Sequence, residues 1–186
     1  MGKIAIVKEV MSTSIAIVKP TIAVLEAAKI MREKKVGNVI VVEQKQPIGI
    51  LTESDILKKL VADGKDPKDI FVKDVMSTPI IVIDPYATLE DAIKIMGKCK
   101  VRRLPVIENN ELIGIITQKD ISKISPILHE IAREWYHITS RDEAFFKKQI
   151  FSGKCEDCGT LTSNLKNVDG QMLCEECSEE TDLDQK

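Results

Sequence analysis

Five cysteines occur in the chain, and four of them fall into two close pairs, Cys155-Glu-Asp-Cys158-Gly159 and Cys174-Glu-Glu-Cys177. The spacing is C-x2-C-x15-C-x2-C. Four thiolates arranged this way suit a tetrahedral metal ion: each pair wraps one side of the ion in a tight knuckle, and Gly159 eases the turn. Zinc is the expected metal, and the spacing leaves iron open, because four thiolates also ligate iron. A segment of about 30 residues buries too little surface to fold unaided, so the ion would act as its core. Cys99 stands apart at a helical position and is read as packed or inert.

A second constellation occurs twice, as Gly49-Ile-Leu-Thr52-Glu-Ser-Asp55 and Gly114-Ile-Ile-Thr117-Gln-Lys-Asp120. Glycine at the end of a strand allows another group to approach the backbone closely. Threonine then opens a helix whose free amides and positive dipole end favour a phosphate. One turn later an aspartate can accept hydrogen bonds from ribose hydroxyls. Thr-x-x-Asp is also a variant of the ordinary helix capping box, and the two roles are compatible.

The elements that must position these residues come from a duplication. Residues 10–56 align without a gap on residues 75–121 at a constant offset of 65, with about 20 of 47 positions identical. Val10-Met11-Ser12-Thr13 matches Val75-Met76-Ser77-Thr78, and Pro20 matches Pro85. Each copy begins with a short apolar stretch (Ile15–Val18; Ile80–Ile83), followed by Pro or Thr near a helix start. Leu25, Ala28 and Met31, or Leu89, Ala92 and Met96, then recur at helical spacing. Two β-branched runs separated by polar turns (43–46; 108–111) predict a hairpin, and a second helix opens at Thr52 or Thr117. The fold class is therefore α+β, with two β-α-β-β-α units. Ser125-Pro126 predicts the start of a connecting helix, whose apolar stripe includes Ile127, Leu128, Ile131, Trp135 and Ile138. Gly153 is expected to end that helical stretch.

Both Met-Ser-Thr starts and both Gly-h-h-Thr-x-x-Asp ends resemble the cystathionine β-synthase (CBS) domain family over about residues 5–123. The resemblance implies two repeats packed about a pseudo-twofold axis, residues 5–60 and 70–123, with two composite clefts between them. One cleft would use Thr52 and Asp55 with Thr78, Pro79, Ile80, Arg102 and Arg103. The other would use Thr117 and Asp120 with Thr13, Ser14, Ile15, Gly37 and Asn38. The family's ligands imply an adenine nucleotide (AMP, ADP or ATP) or S-adenosylmethionine, and its habits imply a homodimer. The repeats diverge at Arg102-Arg103 against Gly37-Asn38, and paired arginines hold phosphate in a way that glycine and asparagine cannot. The Asp55 cleft is thus expected to be the stronger site. A linker helix over 124–152 and a metal domain over 153–180, with Cys155, Cys158, Cys174 and Cys177 as ligands, resembling a zinc ribbon or rubredoxin, would complete the chain. The combination resembles archaeal regulatory proteins of that architecture.

Charge supports this division. The chain's net charge is −2, but residues 1–150 carry 24 Lys/Arg against 20 Asp/Glu, whereas 151–186 carry 3 against 9. The front part suits an anionic ligand. The acidic tail argues against the alternative of a nucleic-acid-binding or transcription-associated zinc ribbon, since phosphate-backbone binding depends on Lys and Arg. At 44% hydrophobic and 30% charged residues a packed core is expected. No run approaches the roughly 18 apolar residues of a membrane helix, and the start lacks the pattern of a secretory leader. Paired cysteines that bind metal fit a reducing compartment, so a cytoplasmic location is expected. Dinucleotide-binding, Walker and Gly-x-Ser-x-Gly signatures are missing. His129 and His137 have no nucleophile placed beside them in sequence, so no catalytic centre is expected. The expected function is that of an adenine-nucleotide sensor acting on an unknown regulated protein.

Overall fold

The described residues, 5–124, 150–168 and 170–183 of a computed structural model, begin with helix α1 (Val7–Val10) and strand β1 (Ile17–Val18). Helix α2 (Val24–Lys34), strands β2 (Asn38–Glu43) and β3 (Gln46–Thr52) and helix α3 (Glu53–Ile56) complete the first repeat. A π-helical turn over Leu57–Val61 extends α3. The second repeat follows the same order: α4 (Val72–Val75), β4 (Ile80–Ile81), α5 (Leu89–Cys99), β5 (Arg103–Glu108), β6 (Glu111–Thr117) and α6 (Gln118–Ile124). Each unit is the expected β-α-β-β-α, preceded by a short lead helix that the sequence reading did not anticipate.

Turn chemistry fixes the hairpins. Gln44-Lys45 and Asn109-Asn110 all have positive φ, between 49° and 69°, the left-handed pair that a two-residue turn between twisted strands requires. Both hairpins also bulge at equivalent places, Val41/Val42 and Val106/Ile107. The duplication has therefore kept register as well as sequence.

The first helices of the repeats begin differently. Thr88 caps α5 in a reciprocal box with Asp91, whereas α2 starts at Ala23 without a side-chain cap. The buried face of α2 is Val24, Ala27 and Met31, in phase with Leu89, Ala92 and Met96 in α5. The stripe read as Leu25, Ala28 and Met31 is thus one residue late at its first two positions. Two apolar residues stood side by side there, and only packing chose between them.

The repeats are stitched together by exchanging their lead segments. Val7 of α1 belongs to the core of the second repeat, and Val72 and Val75 of α4 belong to the core of the first. Ser12 exchanges two backbone hydrogen bonds with Ile115, both 2.9 Å, and Ser77 exchanges two with Ile50, at 2.8 and 3.0 Å. Between the repeats, Ile40, Ile80, Val82 and Ile115 form a shared apolar cluster. Each fully buried aliphatic side chain contributes roughly 1.5–3 kcal/mol, so these exchanges bind the two units into one body.

The exchange explains the glycine of each repeated motif. A Cβ on Gly49 would stand 2.9 Å from the Ser77 carbonyl oxygen, which is held in the strand bridge, and 2.7 Å from Met76 Sδ. On Gly114 the closest atom is the flexible Met11 sulfur at 2.5 Å, with the Ser12 carbonyl oxygen farther away at 3.2 Å. Gly49→Ala is accordingly expected to destabilise the protein by about 1–3 kcal/mol, and by more than Gly114→Ala. Urea melts of the two variants check the order.

Another sheet draws on the described residues from 150 onward. Strands β7 (Phe151–Lys154), β8 (Leu161–Val168) and β9 (Gln171–Leu173) precede helix α7 (Glu175–Leu183). Its strand order is β4-β7-β8-β9, so it is built onto the first strand of the second repeat. Gly153 lies inside β7 and does not end a helix, and Phe151 and Ser152, placed in the linker helix by the sequence, are strand. The rest of the expected connecting helix, with Trp135, His129 and His137, lies outside the described residues. Among the described residues, no helix is long and apolar enough to cross a membrane.

Candidate functional site

Both Thr-x-x-Asp motifs fold as capping boxes. The Thr52 hydroxyl donates to Asp55 Oδ2 at 2.6 Å, while the Asp55 amide donates to Thr52 Oγ1 and the Thr52 amide to Asp55 Oδ2. Thr117 and Asp120 repeat all three bonds. The local role that the sequence allowed is present at both sites, and one carboxylate oxygen in each motif is left to face outward from the box.

The surroundings of that second oxygen differ. Asp55 Oδ1 accepts from Ser77 Oγ at 3.2 Å and pairs with Lys59 Nζ at 3.2 Å. Burial alone would raise the Asp55 carboxyl, but hydrogen bonds from Thr52 and Lys59 outweigh it and hold the group below the usual carboxylate value. Among the described residues, Asp120 Oδ1 meets a longer contact from Lys123, at 3.5 Å.

A cavity of about 530 Å³ opens at Asp55. Thr52 and Asp55 come from the first repeat. Pro79 and Ile80 come from the start of the second, Arg102 immediately precedes β5 and Arg103 opens it; all six line the cavity. The mutual Ser77–Ile50 bonds bring the start of the second repeat against β3, which ends at Thr52. The composite arrangement implied by the resemblance is therefore assembled around one space. Thr78 is the exception: its hydroxyl donates to the Ile48 carbonyl at 2.7 Å, and Ser77 lines the cavity instead.

Cations dominate the lining. Lys58 and Lys100 join Arg102 and Arg103, against Glu53 and Asp55. The Arg103 guanidinium is lowered from its ordinary value by burial and by Arg102, with Glu53 and Asp55 acting in the opposite sense. Arginine remains charged through any such shift. Sequence reasoning missed Ser77, Lys58 and Lys100. The Met-Ser-Thr repeat start was a signal for Ser77, but nothing local marked the two lysines among so many others.

The partners expected at the second motif are divided. Thr13, Ser14 and Ile15 follow the Ser12–Ile115 bridge, beside the strand that ends at Thr117. Gly37 lines the Asp55 cavity, and its carbonyl oxygen accepts from Arg103 Nη1 at 3.2 Å. Asn38 stands opposite Thr52 in the register of the first hairpin. The repeats meet near Gly37 and Arg103, so a residue that the resemblance assigns to one cleft borders the other.

The four paired cysteines converge as their spacing required. Their sulfurs all lie within 4.8 Å of one another, with Cys158 and Cys174 at 3.7 Å. A tetrahedral zinc site with bonds of about 2.3 Å separates its sulfurs by about 3.8 Å, so this donor set fits a metal ion. The Cys174 amide donates to Cys155 Sγ at 3.3 Å. Burial works against the Cys155 thiolate, but backbone N–H groups of Cys174, Cys158 and Asp157 bring the thiol down to about 6. Cys99 is separate from this cluster.

Comparison with known proteins matches the CBS domain family over residues 7–62 and 72–126. An uncharacterized protein of Methanocaldococcus jannaschii is 40% identical over 181 residues, which cover 94% of this chain and 93% of the relative. A CBS domain protein of unknown function from Thermoplasma acidophilum shares the fold over 90% of this chain and 91% of its own, with a TM-score of 0.66 at 21% identity. The CBS domain pair of protein MJ0100, solved in complex with 5'-methylthioadenosine and S-adenosyl-L-methionine, covers 66% of this chain and 96% of its own, at 25% identity and a TM-score of 0.59.

Proposed function

The chain belongs to the CBS domain family, and on that premise we propose that it is an adenine-nucleotide sensor whose principal ligand occupies the Asp55 cavity. The observation that carries this reading is the convergence of Arg102 and Arg103 with Thr52 and Asp55 on one space. Asp55 Oδ1 lies outside the capping box, and ribose hydroxyls would reach it by exchanging for its contacts with Ser77 and Lys59. The arginines supply planar donors for phosphate. The four cations and two carboxylates of the lining leave a local excess of positive charge, which favours AMP, ADP or ATP over the sulfonium of S-adenosylmethionine.

The ligand's effect would be regulatory, since it sits where the two repeats exchange segments. A ligand touching both repeats changes the free energy of their relative arrangement, and a partner protein that favours one arrangement then responds to it. We assign the same chain a homodimeric assembly and a cytoplasmic location. The four-cysteine unit that begins with β7 is zinc-ribbon-like, with Cys155, Cys158, Cys174 and Cys177 holding zinc and iron as the other candidate. Four thiolates filling a tetrahedral ion leave no open position, so the metal would supply a structural cross-link.

Calorimetric titration with AMP, ATP and S-adenosylmethionine tests the reading. Asp55→Ala is expected to lower AMP or ATP affinity by about tenfold or more, and Asp120→Ala by less, in keeping with a charged hydrogen bond worth about 1.5–3 kcal/mol. Equal losses would remove the ranking of the clefts. No binding of any of the three ligands by the folded parent chain would remove the sensor.

A further inference from the structure

The four-cysteine unit shares a sheet with a strand that walls the ligand cavity. Antiparallel β7 pairs with β4, Ile80 opposite Ser152 and Ile81 opposite Phe151, and the Val82 amide donates to the Ile150 carbonyl at 3.3 Å. Ile80 and Ile81 line the Asp55 cavity, and Ile81 also packs against the buried core of the four-cysteine unit. One side chain is thus part of two walls.

The second repeat depends on this pairing in a way that the first does not. In the first repeat the Ile40 amide donates to the Ala16 carbonyl at 2.8 Å. The residue equivalent to Ile40 is Pro105, which has no N–H to offer the Ile81 carbonyl. Strand β4 consequently keeps a weaker hold on its own hairpin and takes a neighbour from the four-cysteine unit. Val82 is 4% exposed within the cluster shared by the repeats, while its counterpart Ile17 is 49% exposed.

The neighbour's own order depends on the cysteines. Three of the six buried members of its core are Cys155, Cys174 and Cys177, and Cys155 directly follows β7. Further contacts fasten the unit across both hairpins: Ser152 Oγ donates to the Pro47 carbonyl, Lys154 pairs with Glu43 at 2.9 Å, and Ser163 Oγ donates to Asn110. Gly153 fits closely under Pro79, where an added Cβ would come within 3.3 Å.

We propose that metal loading of the four-cysteine unit orders β4, and that metal and cavity ligand therefore bind cooperatively. The cooperative part rests on the reading of the Asp55 cavity as a nucleotide site. Without the ion the small core loses its cross-link, β7 loses its frame, and Ile80 and Ile81 lose the strand that holds them at the cavity. Linkage makes the effect reciprocal: a ligand that favours ordered β4 strengthens metal retention by the same factor.

Amide exchange on the full chain, zinc-loaded and then stripped by a chelator, tests the mechanical step. Protection of the Val82 amide is expected to fall about tenfold or more on stripping, while that of Ile40 in the first repeat is retained. AMP and ATP affinity, measured on the same two samples, is expected to weaken at least about fivefold and to return on reloading with zinc. Gly153→Val should reproduce both effects with metal content unchanged, because its side chain forces β7 away from Pro79. Unchanged Val82 protection in the stripped chain overturns the proposal, as does lost protection with unaltered nucleotide affinity. If neither form binds AMP, ATP or S-adenosylmethionine, the nucleotide reading and the cooperative step fall together, and exchange at Val82 still decides whether the metal orders β4.

Discussion

Replacing Arg102 and Arg103 together by methionine is expected to reduce AMP and ATP affinity by about a hundredfold or more. Each arginine can supply charge-assisted hydrogen bonds worth about 1.5–3 kcal/mol, and methionine keeps much of the length while removing charge and donors. The two side chains differ in setting. Arg102 is exposed at the cavity mouth, whereas Arg103 is half-buried and already donates to the Gly37 carbonyl. Loss of that one bond costs about 1 kcal/mol of stability, so the variant should remain folded and its melting transition should move little. Ionic strength gives a second reading of the same physics. Parent-chain affinity should weaken as salt screens the phosphate contacts, and the double variant should have lost most of that dependence. A double variant that binds ATP as tightly as the parent chain would mean that the arginines serve the repeat interface and leave phosphate alone.

Removing the metal is expected to unfold residues 151–177 while the two repeat cores persist. Structural zinc contributes roughly 10–16 kcal/mol of apparent binding free energy in small four-ligand units, more than such a unit could recover from its own packing. Cys158→Ala should act in the same direction as chelation, because it removes one of four donors. The main cores of the repeats are built from Val24, Met31, Leu51 and Leu60 on one side and Leu89, Met96, Leu104 and Ile116 on the other, and neither includes a cysteine ligand. Limited proteolysis should therefore cut within 151–177 first and leave a resistant fragment covering the repeats. Native mass spectrometry of the purified chain should give one metal per chain and name it. A stripped chain that resists protease as well as the loaded one would mean that packing alone sustains the sheet.

These two sites were legible in sequence to different depths. The cysteine spacing gives the ligand set directly, because a knuckle is a local object and four thiolates have little alternative use in it. The Thr-x-x-Asp motifs gave their own local geometry equally well: a capping box is closed by residues three apart, and both copies form it. The duplication added the composite character of the Asp55 cavity through the family that it resembles, and Thr52, Asp55, Pro79, Ile80, Arg102 and Arg103 do line one space. Thr78 did not follow, because its hydroxyl found the Ile48 carbonyl.

What the sequence determined by itself was everything governed by contacts within a turn, a hairpin or a repeated period: two α+β repeats, their hairpin turns, their capped helices and the four-sulfur cluster. Tertiary structure alone decided which apolar face of α2 is buried, that Gly37 borders the Asp55 cavity, that Lys58 and Lys100 join the arginines, and that β7 lies on β4. Those outcomes depend on which strand edge and which cation remain available after the repeats have packed. Ile81 and Phe151 lie 70 positions apart, and neither carries a local mark of the other. Pro105 came nearest to such a mark, since a missing N–H weakens one side of β4, but the absence of a donor does not say which strand will take the other side.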